Sequence, residues 1–343
     1  MRRRVDASAL TRTLVIQTAF LGDVILTLPL LRALKKDTPV QFLGVVITPE
    51  CADVLEGEES IDRVIVYEKR KKTGGSFNKI VKEITGEKFS SAFIPHRSFR
   101  SALLAWRAGI KTRVGFSTSP AAWLYTDRVP HHYTLPEVQR NLSLLDVCTR
   151  DRSIFTEWFA PVHVKQTHDG VRIVISPGTQ WKTKMWISER YAEVITFCVS
   201  QGWRVDLCGG RNDINVCNEI SHSLESPLVA NHCGKTTIKE MFDIIGDANA
   251  VITNDSAPIH IANECGTPVI GIFGPTVPEF GFAPRGIYDQ VVQTNGLICR
   301  PCMIHGGDVC PLGTHLCMKE ISTDQVIEAL QRVVALGAVR ASR

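Results

Sequence analysis

A short apolar run that ends in two polar residues constrains this chain more than any other feature. Residues 250–252 are Ala-Val-Ile, and Asp255 and Ser256 follow just before a segment of helical character at 257–264. The run predicts a buried strand of a parallel sheet, which places the polar pair at the strand's carboxyl end. Ligands of open α/β sheets bind at that edge, and a helix N-terminus there suits a phosphate. The plainer interpretation is that Asp255 or Ser256 only caps the helix.

Alternating strands and helices occur in two series along the 343 residues. The first series opens with a strand at 13–18 and a helix toward Lys36, in which Pro29 predicts either a kink or a second helix start at Thr27. A polar segment at 161–170 separates the two series. The pattern therefore predicts an α/β protein of two domains, whose parallel, doubly wound sheets face a central cleft.

Parts of the chain lack a regular pattern. Residues 117–136 are expected to be irregular, and residues 137–149 to form a helix. In the second series the last predicted strand is 269–273, and a final amphipathic helix is expected at 323–336. The predicted domains are 1–165, 166–322 and a C-terminal helix within 323–343.

Charge and hydropathy exclude several classes of protein. A net charge of +4 is too weak to argue for nucleic acid as a partner. No apolar stretch is long enough to span a membrane, so we expect a cytoplasmic protein. The basic residues 2–4 and 69–72 suit peripheral contact with an anionic membrane surface. Familiar dinucleotide, P-loop, zincin and serine hydrolase motifs are missing from the sequence.

Asp23 is a candidate catalytic residue. It follows Gly22 at the start of a predicted helix, at the sheet edge that is expected to face the cleft. A carboxylate there would be placed to take a proton from a sugar hydroxyl. The alternative is that Asp23 is an ordinary acid in the first turn of a helix.

A second candidate segment, 176–186, follows a predicted strand and precedes a helix. Gly178 lets the backbone approach a phosphate, Thr179 supplies a hydroxyl, and a lysine supplies charge. Together with the helix N-terminus at 257, this segment suits a diphosphate. A solvated basic loop is the alternative.

In the first domain, basic residues gather between 97 and 113. Arg97 lies at the end of a predicted strand and Arg100 on the following helix, where they would meet acidic groups of an acceptor. A solvated helix face is the competing interpretation.

The chain has eleven cysteines, and four of them cluster near its end. Cys299 and Cys302 have metal-ligand spacing, and Cys310 and Cys317 complete a set that allows a zinc site. A reduced or partly cross-linked structural loop is the other interpretation. The remaining seven cysteines are expected to be ordinary reduced thiols; they are Cys51, Cys148, Cys198, Cys208, Cys217, Cys233 and Cys265.

Several motifs in order resemble the heptosyltransferase family, glycosyltransferase family 9, from about residue 13 to 335. One is Gly-Asp-Val-Ile-Leu-Thr at 22–27 with Pro29, and another is Asn-Asp-Ser at 254–256 with His260. Phe-Gly-Pro-Thr at 273–276 follows. The cysteine series and Cys-Pro-Leu-Gly at 310–313 are similar to the second-heptose transferase branch.

This resemblance implies a GT-B architecture, two Rossmann-like domains with the final helix crossing back to the first. It implies inverting transfer of heptose from ADP-heptose to the lipopolysaccharide inner core, with no cofactor and no required metal. Location on the cytoplasmic face of the inner membrane would follow from such an acceptor. The alternatives are a related transferase that uses another nucleotide sugar, and a catalytically silent nucleotide-binding module.

The resemblance also implies roles for single residues. Asp23 would be the general base, and Lys184 a catalytic phosphate contact. The implied nucleotide-sugar site comprises Gly178, Thr179, Lys184, Asp255, Ser256, Ala257 and His260. The implied acceptor site comprises Thr18, Gly22, Arg97 and Arg100. The chain departs from the family at Ala257, where glycine is frequent, and at 209–213, where a glutamate is missing and Asp213 is a conjectural replacement.

Overall fold

The computed structural model describes residues 5–69, 75–149, 151–159, 170–222 and 224–341. The chain divides into two compact units, Met1–Phe159 and Ala160–Arg343. The basic residues 2–4 and 70–72 lie outside the described residues, and so does most of the segment between the two series, 161–169.

The described part of unit 1 holds six strands and six α-helices. The strands are β1 (Arg12–Ile16), β2 (Phe42–Ile47), β3 (Arg63–Val66), β4 (Ser91–Ile94), β5 (Thr112–Phe116) and β6 (Asp127–Val129). The helices are α1 (Leu21–Ile25), α2 (Leu28–Asp37), α3 (Gly75–Gly86), α4 (Phe99–Arg107), α5 (Glu137–Ser143) and α6 (Ser153–Glu157). All strand pairs are parallel, in the order β3-β2-β1-β4-β5-β6.

Pro29 divides the first helical segment in two. Thr27 is the N-cap of α2 and Pro29 stands in its first turn, where a missing N–H costs no hydrogen bond. Of the two sequence-based alternatives, the second helix start is therefore the one that forms. Gln17 supports the junction, since its Nε2 donates to the Thr27 hydroxyl at 3.0 Å.

Unit 2 repeats the architecture. Its strands are β7 (Arg172–Ser176), β8 (Arg204–Leu207), β9 (Val229–Asn231), β10 (Ala250–Asn254), β11 (Val269–Phe273) and β12 (Gln290–Gln293). Its helices are α7 (Ser188–Ser200), α8 (Ile214–His222), α9 (Ile238–Gly246), α10 (Ala257–Cys265), α11 (Leu316–Lys319) and α12 (Thr323–Ala341). The parallel strands follow the order β12-β11-β10-β7-β8-β9.

Both sheets have the strand order of a Rossmann fold. Counted from the first strand of each unit, the order is 3-2-1-4-5-6, which reverses between β1 and β4 in unit 1 and between β7 and β10 in unit 2. Apolar residues on each strand fill the two cores, for example Leu14 and Ile16 in unit 1 and Ile173 and Ile252 in unit 2. The predicted α/β class is confirmed.

Helix α12 packs on α7 and on strands β10 to β12 of unit 2. Its buried face presents Val326, Leu330 and Val333 to the unit 2 core. The predicted return of this helix to the N-terminal domain stays a prediction. Among the described helices, none combines the length and apolar character needed to cross a bilayer.

Two cysteines differ from their predicted state. Cys217 on α8 and Cys233, just after β9, form a disulfide with a Cα–Cα distance of 6.4 Å. The expectation of reduced thiols is therefore wrong for this pair, because the fold brings together two helix and loop positions that are sixteen residues apart in sequence. The other five scattered cysteines form no disulfide within the described residues.

Candidate functional site

The predicted site residues of unit 2 lie where its strand order reverses. Strands β7 and β10 are neighbours, with Ser176 opposite Thr253 at their carboxyl ends. The chain leaves β7 into the Gly178 loop and leaves β10 into Asp255, at the start of α10. This is the position at which open α/β sheets bind ligands.

Asn254 joins the two strand ends. Its Nδ2 donates to the carbonyl of Pro177 at 2.7 Å, and its Oδ1 accepts from the backbone N–H of Trp186 at 3.1 Å and the Tyr191 hydroxyl at 3.0 Å. The side chain is fully buried. Asn254 thus fixes the shape of the loop that carries Lys184 and contributes structure to the site.

A buried ion pair forms the centre of this edge. The Lys184 Nζ lies 2.6 Å from Asp255 Oδ2, and the side chains are 12% and 8% exposed. The same carboxylate oxygen accepts a 2.6 Å hydrogen bond from the Thr276 hydroxyl. Lys184 carries three donor hydrogens, so the ammonium retains capacity to bind an anion beside Asp255.

The start of α10 supports anion binding at the same place. Ser256 is the N-cap residue, but its side chain makes no capping hydrogen bond among the described residues. Its hydroxyl instead lies 3.2 Å from the Thr253 hydroxyl and donates to Gly178 O at 3.4 Å. The capping interpretation therefore explains the position of Ser256 but neither its side chain nor that of Asp255. Ala257 is the first residue of the helix and is half-buried.

His260 lies one turn further along α10 and is buried. Burial lowers its pKa to about 3, with the charge of Arg285 as the next cause. The imidazole is therefore neutral at pH 7. Its Nδ1 finds no hydrogen-bond partner within the described part of the chain.

The Gly178 loop packs against Asp213. A Cβ at Gly178 would lie 2.1 Å from the Asp213 carboxyl carbon, so any other residue there would displace the Asp213 side chain. Asp213 Oδ2 accepts from the Gly210 N–H at 2.8 Å, and burial raises the pKa of this carboxyl. Thr179 is half-buried, with its hydroxyl oxygen 3.5 Å from the Trp181 nitrogen.

In unit 1, Asp23 lies at the corresponding edge, beyond the end of β1. Its Oδ2 accepts from the Phe20 N–H at 3.2 Å, so the carboxylate does bond within the first turn of α1. Burial of the carboxyl group raises the Asp23 pKa to about 7, and the charge of Glu137 is the second cause. Glu137 is itself paired with Arg140, at 2.7 Å between Arg140 Nε and Glu137 Oε2.

Of the four predicted acceptor residues of unit 1, two, Thr18 and Arg100, contact Lys69. The Lys69 Nζ donates to Thr18 O at 2.9 Å, and Arg100 donates to the Lys69 carbonyl at 3.1 Å. Arg97 is exposed and donates to the Tyr133 hydroxyl at 3.0 Å. Gly22, within α1, directly precedes Asp23.

The four clustered cysteines belong to a segment, residues 299–317, that we call the cysteine segment. All four are free thiols, and burial raises the pKa of Cys317 to about 11. Throughout the described ranges, no group of three or more His, Cys, Asp or Glu side chains is arranged to hold a metal ion. The zinc hypothesis therefore gains no support here.

Three residues of this constellation were not named as site residues from the sequence. Thr276 bonds Asp255, Asn254 shapes the lysine loop, and Glu137 bears on Asp23. Asn254 and Thr276 do belong to the motifs that carry the family resemblance. No sequence pattern marked Glu137 as a neighbour of Asp23, because the two residues lie far apart in sequence.

Comparisons with known proteins agree with this architecture. The family model of glycosyltransferase family 9 (heptosyltransferase) matches residues 77–305. Lipopolysaccharide heptosyltransferase 2 of Salmonella typhimurium is 24% identical over 360 aligned residues, which cover 94% of this chain and 99% of the relative.

Solved structures share the fold. A family 9 glycosyltransferase from Veillonella parvula superposes with a TM-score of 0.78 at 22% identity, covering 95% of this chain and 97% of that one. E. coli ADP-heptose lipopolysaccharide heptosyltransferase II gives 0.76 at 22% identity, covering 95% and 99%. These likenesses confirm a GT-B protein with two Rossmann-like units.

Because the family model matches more than half of the residues, the chain belongs to glycosyltransferase family 9, the heptosyltransferases. It is a glycosyltransferase, as its motifs predicted.

Proposed function

We propose that this protein transfers a heptose from ADP-heptose to the lipopolysaccharide inner core, with inversion at the anomeric carbon. The observation that carries the proposal is the Lys184–Asp255–Thr276 constellation beside the start of α10, in a chain of this family. The names of the relatives supply the sugar and the acceptor class.

On the donor side, Lys184 and the first turn of α10 hold the diphosphate. As the bond between the anomeric carbon and the phosphate oxygen breaks, its electron pair leaves with ADP, and the departing group gains negative charge. A cation and a helix N-terminus at that point stabilise the transition state more than the ground state. Gly178 lets the loop pack closely against Asp213 at this edge, and Ser256 borders the same edge.

On the acceptor side, Asp23 takes the proton from the attacking hydroxyl. The hydroxyl oxygen forms the new bond to the anomeric carbon on the face opposite the departing ADP, which inverts that centre. A carboxyl with a pKa of about 7 is a stronger base than an ordinary aspartate and remains substantially ionised at neutral pH. Arg97 and Arg100 lie exposed in the same unit, placed to bind acidic groups of the acceptor.

The reaction is proposed to take place on the cytoplasmic face of the inner membrane, with the protein in peripheral contact. The support is the lipid anchor that such an acceptor carries. Co-sedimentation with vesicles containing anionic lipid checks this, and binding that does not change between low and high salt would remove its electrostatic part.

Turnover with defined donors tests the proposed function. Purified protein is incubated with an inner-core acceptor and either ADP-heptose or UDP-, GDP- and CDP-sugars, and products are identified by mass spectrometry. We expect one added heptose from ADP-heptose alone. Transfer only from another nucleotide sugar would favour the related transferase, and no transfer from any donor would favour the silent module.

Lys184 and Lys182, which lie in one turn, provide a test substitution and a matched control for the donor site. Lys184→Ala should lower kcat/KM by about 100-fold or more, as expected for loss of one electrostatic contact to the leaving group. Lys182→Ala, at an exposed position two residues away, should stay within about threefold of wild type. Equal effects of the two substitutions would contradict the role of Lys184.

A further inference from the structure

The cysteine segment lies directly against the turn that carries Lys184. The Thr183 N–H donates to Gly307 O at 2.9 Å, and the Gly307 N–H donates back to the Thr183 hydroxyl oxygen at 2.9 Å. Thr183 is buried. The residue next to Lys184 is therefore bonded reciprocally to a segment that is more than a hundred positions away in sequence.

His315 completes this attachment. Its Nε2 lies 2.7 Å from the carbonyl oxygen of Thr183. A carbonyl oxygen only accepts, so Nε2 must carry the hydrogen in this contact. The backbone N–H, the hydroxyl and the carbonyl of Thr183 are thus all bound by Gly307 and His315.

Gly306 supports the lysine side chain itself. Its φ is +88°, and a Cβ at this position would lie 3.1 Å from Lys184 Cγ and 3.2 Å from Lys184 Cε. The backbone of the cysteine segment consequently packs against the methylene groups of the lysine.

Arg300 connects the same segment to the other side of the ion pair. Its Nη2 donates to the Thr276 carbonyl at 2.9 Å and to Gln293 Oε1 at 2.8 Å. Thr276 in turn donates its hydroxyl to Asp255. Both members of the Lys184–Asp255 pair are therefore held, through Thr183 and Thr276, by one segment.

We propose that the cysteine segment is a clamp that positions Lys184 for an anionic ligand, and that His315 is a positioning residue acting through the Thr183 carbonyl. This inference rests on the proposed role of Lys184 as a diphosphate contact. Lysine has a flexible four-carbon stem, and fixing its backbone and methylenes beforehand lowers the entropy lost when the ammonium binds. The clamp contributes by pre-organisation, without touching the ligand.

Two substitutions of His315 separate the clamp from simple backbone effects. In His315→Gln, the new side chain places an amide N–H near the position of Nε2. In His315→Asn, the side chain is too short to reach the Thr183 carbonyl. His315 has a φ of +54°, a conformation that Asn tolerates better than Gln. Backbone strain alone therefore predicts that His315→Asn is the milder change, and the clamp predicts the reverse.

The readout is the dissociation constant for ADP, measured by calorimetry on the full chain. We expect His315→Asn to weaken ADP binding about three- to tenfold, the loss of one hydrogen bond, and His315→Gln to remain within about twofold of wild type. Val309→Ala, at an exposed position in the same segment, is the control and should also stay within about twofold. If the His315→Gln variant binds ADP no more tightly than the His315→Asn variant, the clamp is overturned.

A double-mutant cycle with Lys184→Met shows whether His315 acts through the lysine. In that background His315→Asn should weaken ADP binding no further, because the positioned ammonium is gone. An equal loss in both backgrounds would overturn the inference. If Lys184→Met leaves ADP binding unchanged, the role of Lys184 fails and the clamp with it. If Lys184→Met weakens binding but His315→Asn does not, the clamp alone fails.

Discussion

The carboxylate of Asp23 lies in surroundings that favour its protonated form, and this has consequences for activity. With a pKa raised to about 7, only the ionised fraction accepts a proton, so kcat/KM should rise with pH up to about 7 and then level. Asp23→Asn keeps an oxygen for the Phe20 N–H but removes the base, and should lower kcat by about 100-fold or more. Steady-state rates across this pH range are the measurement.

The same raised pKa predicts an effect of opposite sign on stability. The folded state binds the Asp23 proton more tightly than the unfolded chain, so this group's contribution to stability is lost as pH rises from about 4 to about 7. The side chain in the Asp23→Asn variant cannot ionise. The melting temperature of this variant should therefore increase relative to that of wild type as pH rises toward 8. A variant with full activity, or one that is relatively less stable at high pH, would contradict the assignment.

At the scale of elements, Asn254 holds three groups of the donor edge together through its buried side chain. Asn254→Ala would leave the Trp186 N–H, the Tyr191 hydroxyl and the Pro177 carbonyl without their buried partner. Each such group costs about 1–3 kcal/mol, and partial relaxation leaves a net loss of about 3 kcal/mol. Denaturant unfolding measures this loss.

Asn215→Ala is a matched control for that prediction. Asn215 is exposed on α8, and its substitution should change the free energy of unfolding by less than about 0.5 kcal/mol. If Asn254→Ala proves equally mild, the side chain does not hold the loop.

The elements that were predictable from sequence are those with a strong apolar pattern. Strands β1, β7, β10 and β11 each contain a buried apolar run, and each was expected within a few residues of its observed bounds. The unpredicted strands, β6 and β12, lie at sheet edges and carry polar residues such as Asp127 and Gln290. An edge strand pairs on one side only, so its sequence need not be uniformly apolar.

The candidate site was predictable to the same extent. Apolar strands precede Asp255, Ser256 and Gly178. Because the carboxyl ends of parallel strands meet at one edge of the sheet, the sequence alone predicts that these residues lie together. Partners such as Thr276, Glu137 and His315 come from distant segments, and no local pattern records that the fold places them beside Asp255, Asp23 and Thr183. The disulfide of unit 2 escaped prediction for the same reason.

At the scale of the whole molecule, the two units are expected to respond differently to nucleotide. The proposed diphosphate contacts all belong to unit 2, at the Gly178 loop, Lys184 and the start of α10. A ligand that binds only the native state stabilises it by about 2.7 kcal/mol at a hundredfold excess over its dissociation constant. Local opening of the bound segments should therefore become rarer when ADP is present.

Hydrogen exchange on the full chain tests this expectation. With ADP, amides at 176–186 and 253–276 should exchange about ten- to a hundredfold more slowly, while those at 17–27 around Asp23 change little. UDP at the same concentration is the control for base selectivity. Protection confined to unit 1 would contradict the assignment of the nucleotide site to unit 2. Equal protection by ADP and UDP would contradict the preference for ADP. It would still be consistent with a diphosphate contact at Lys184, since the diphosphate is common to the two ligands.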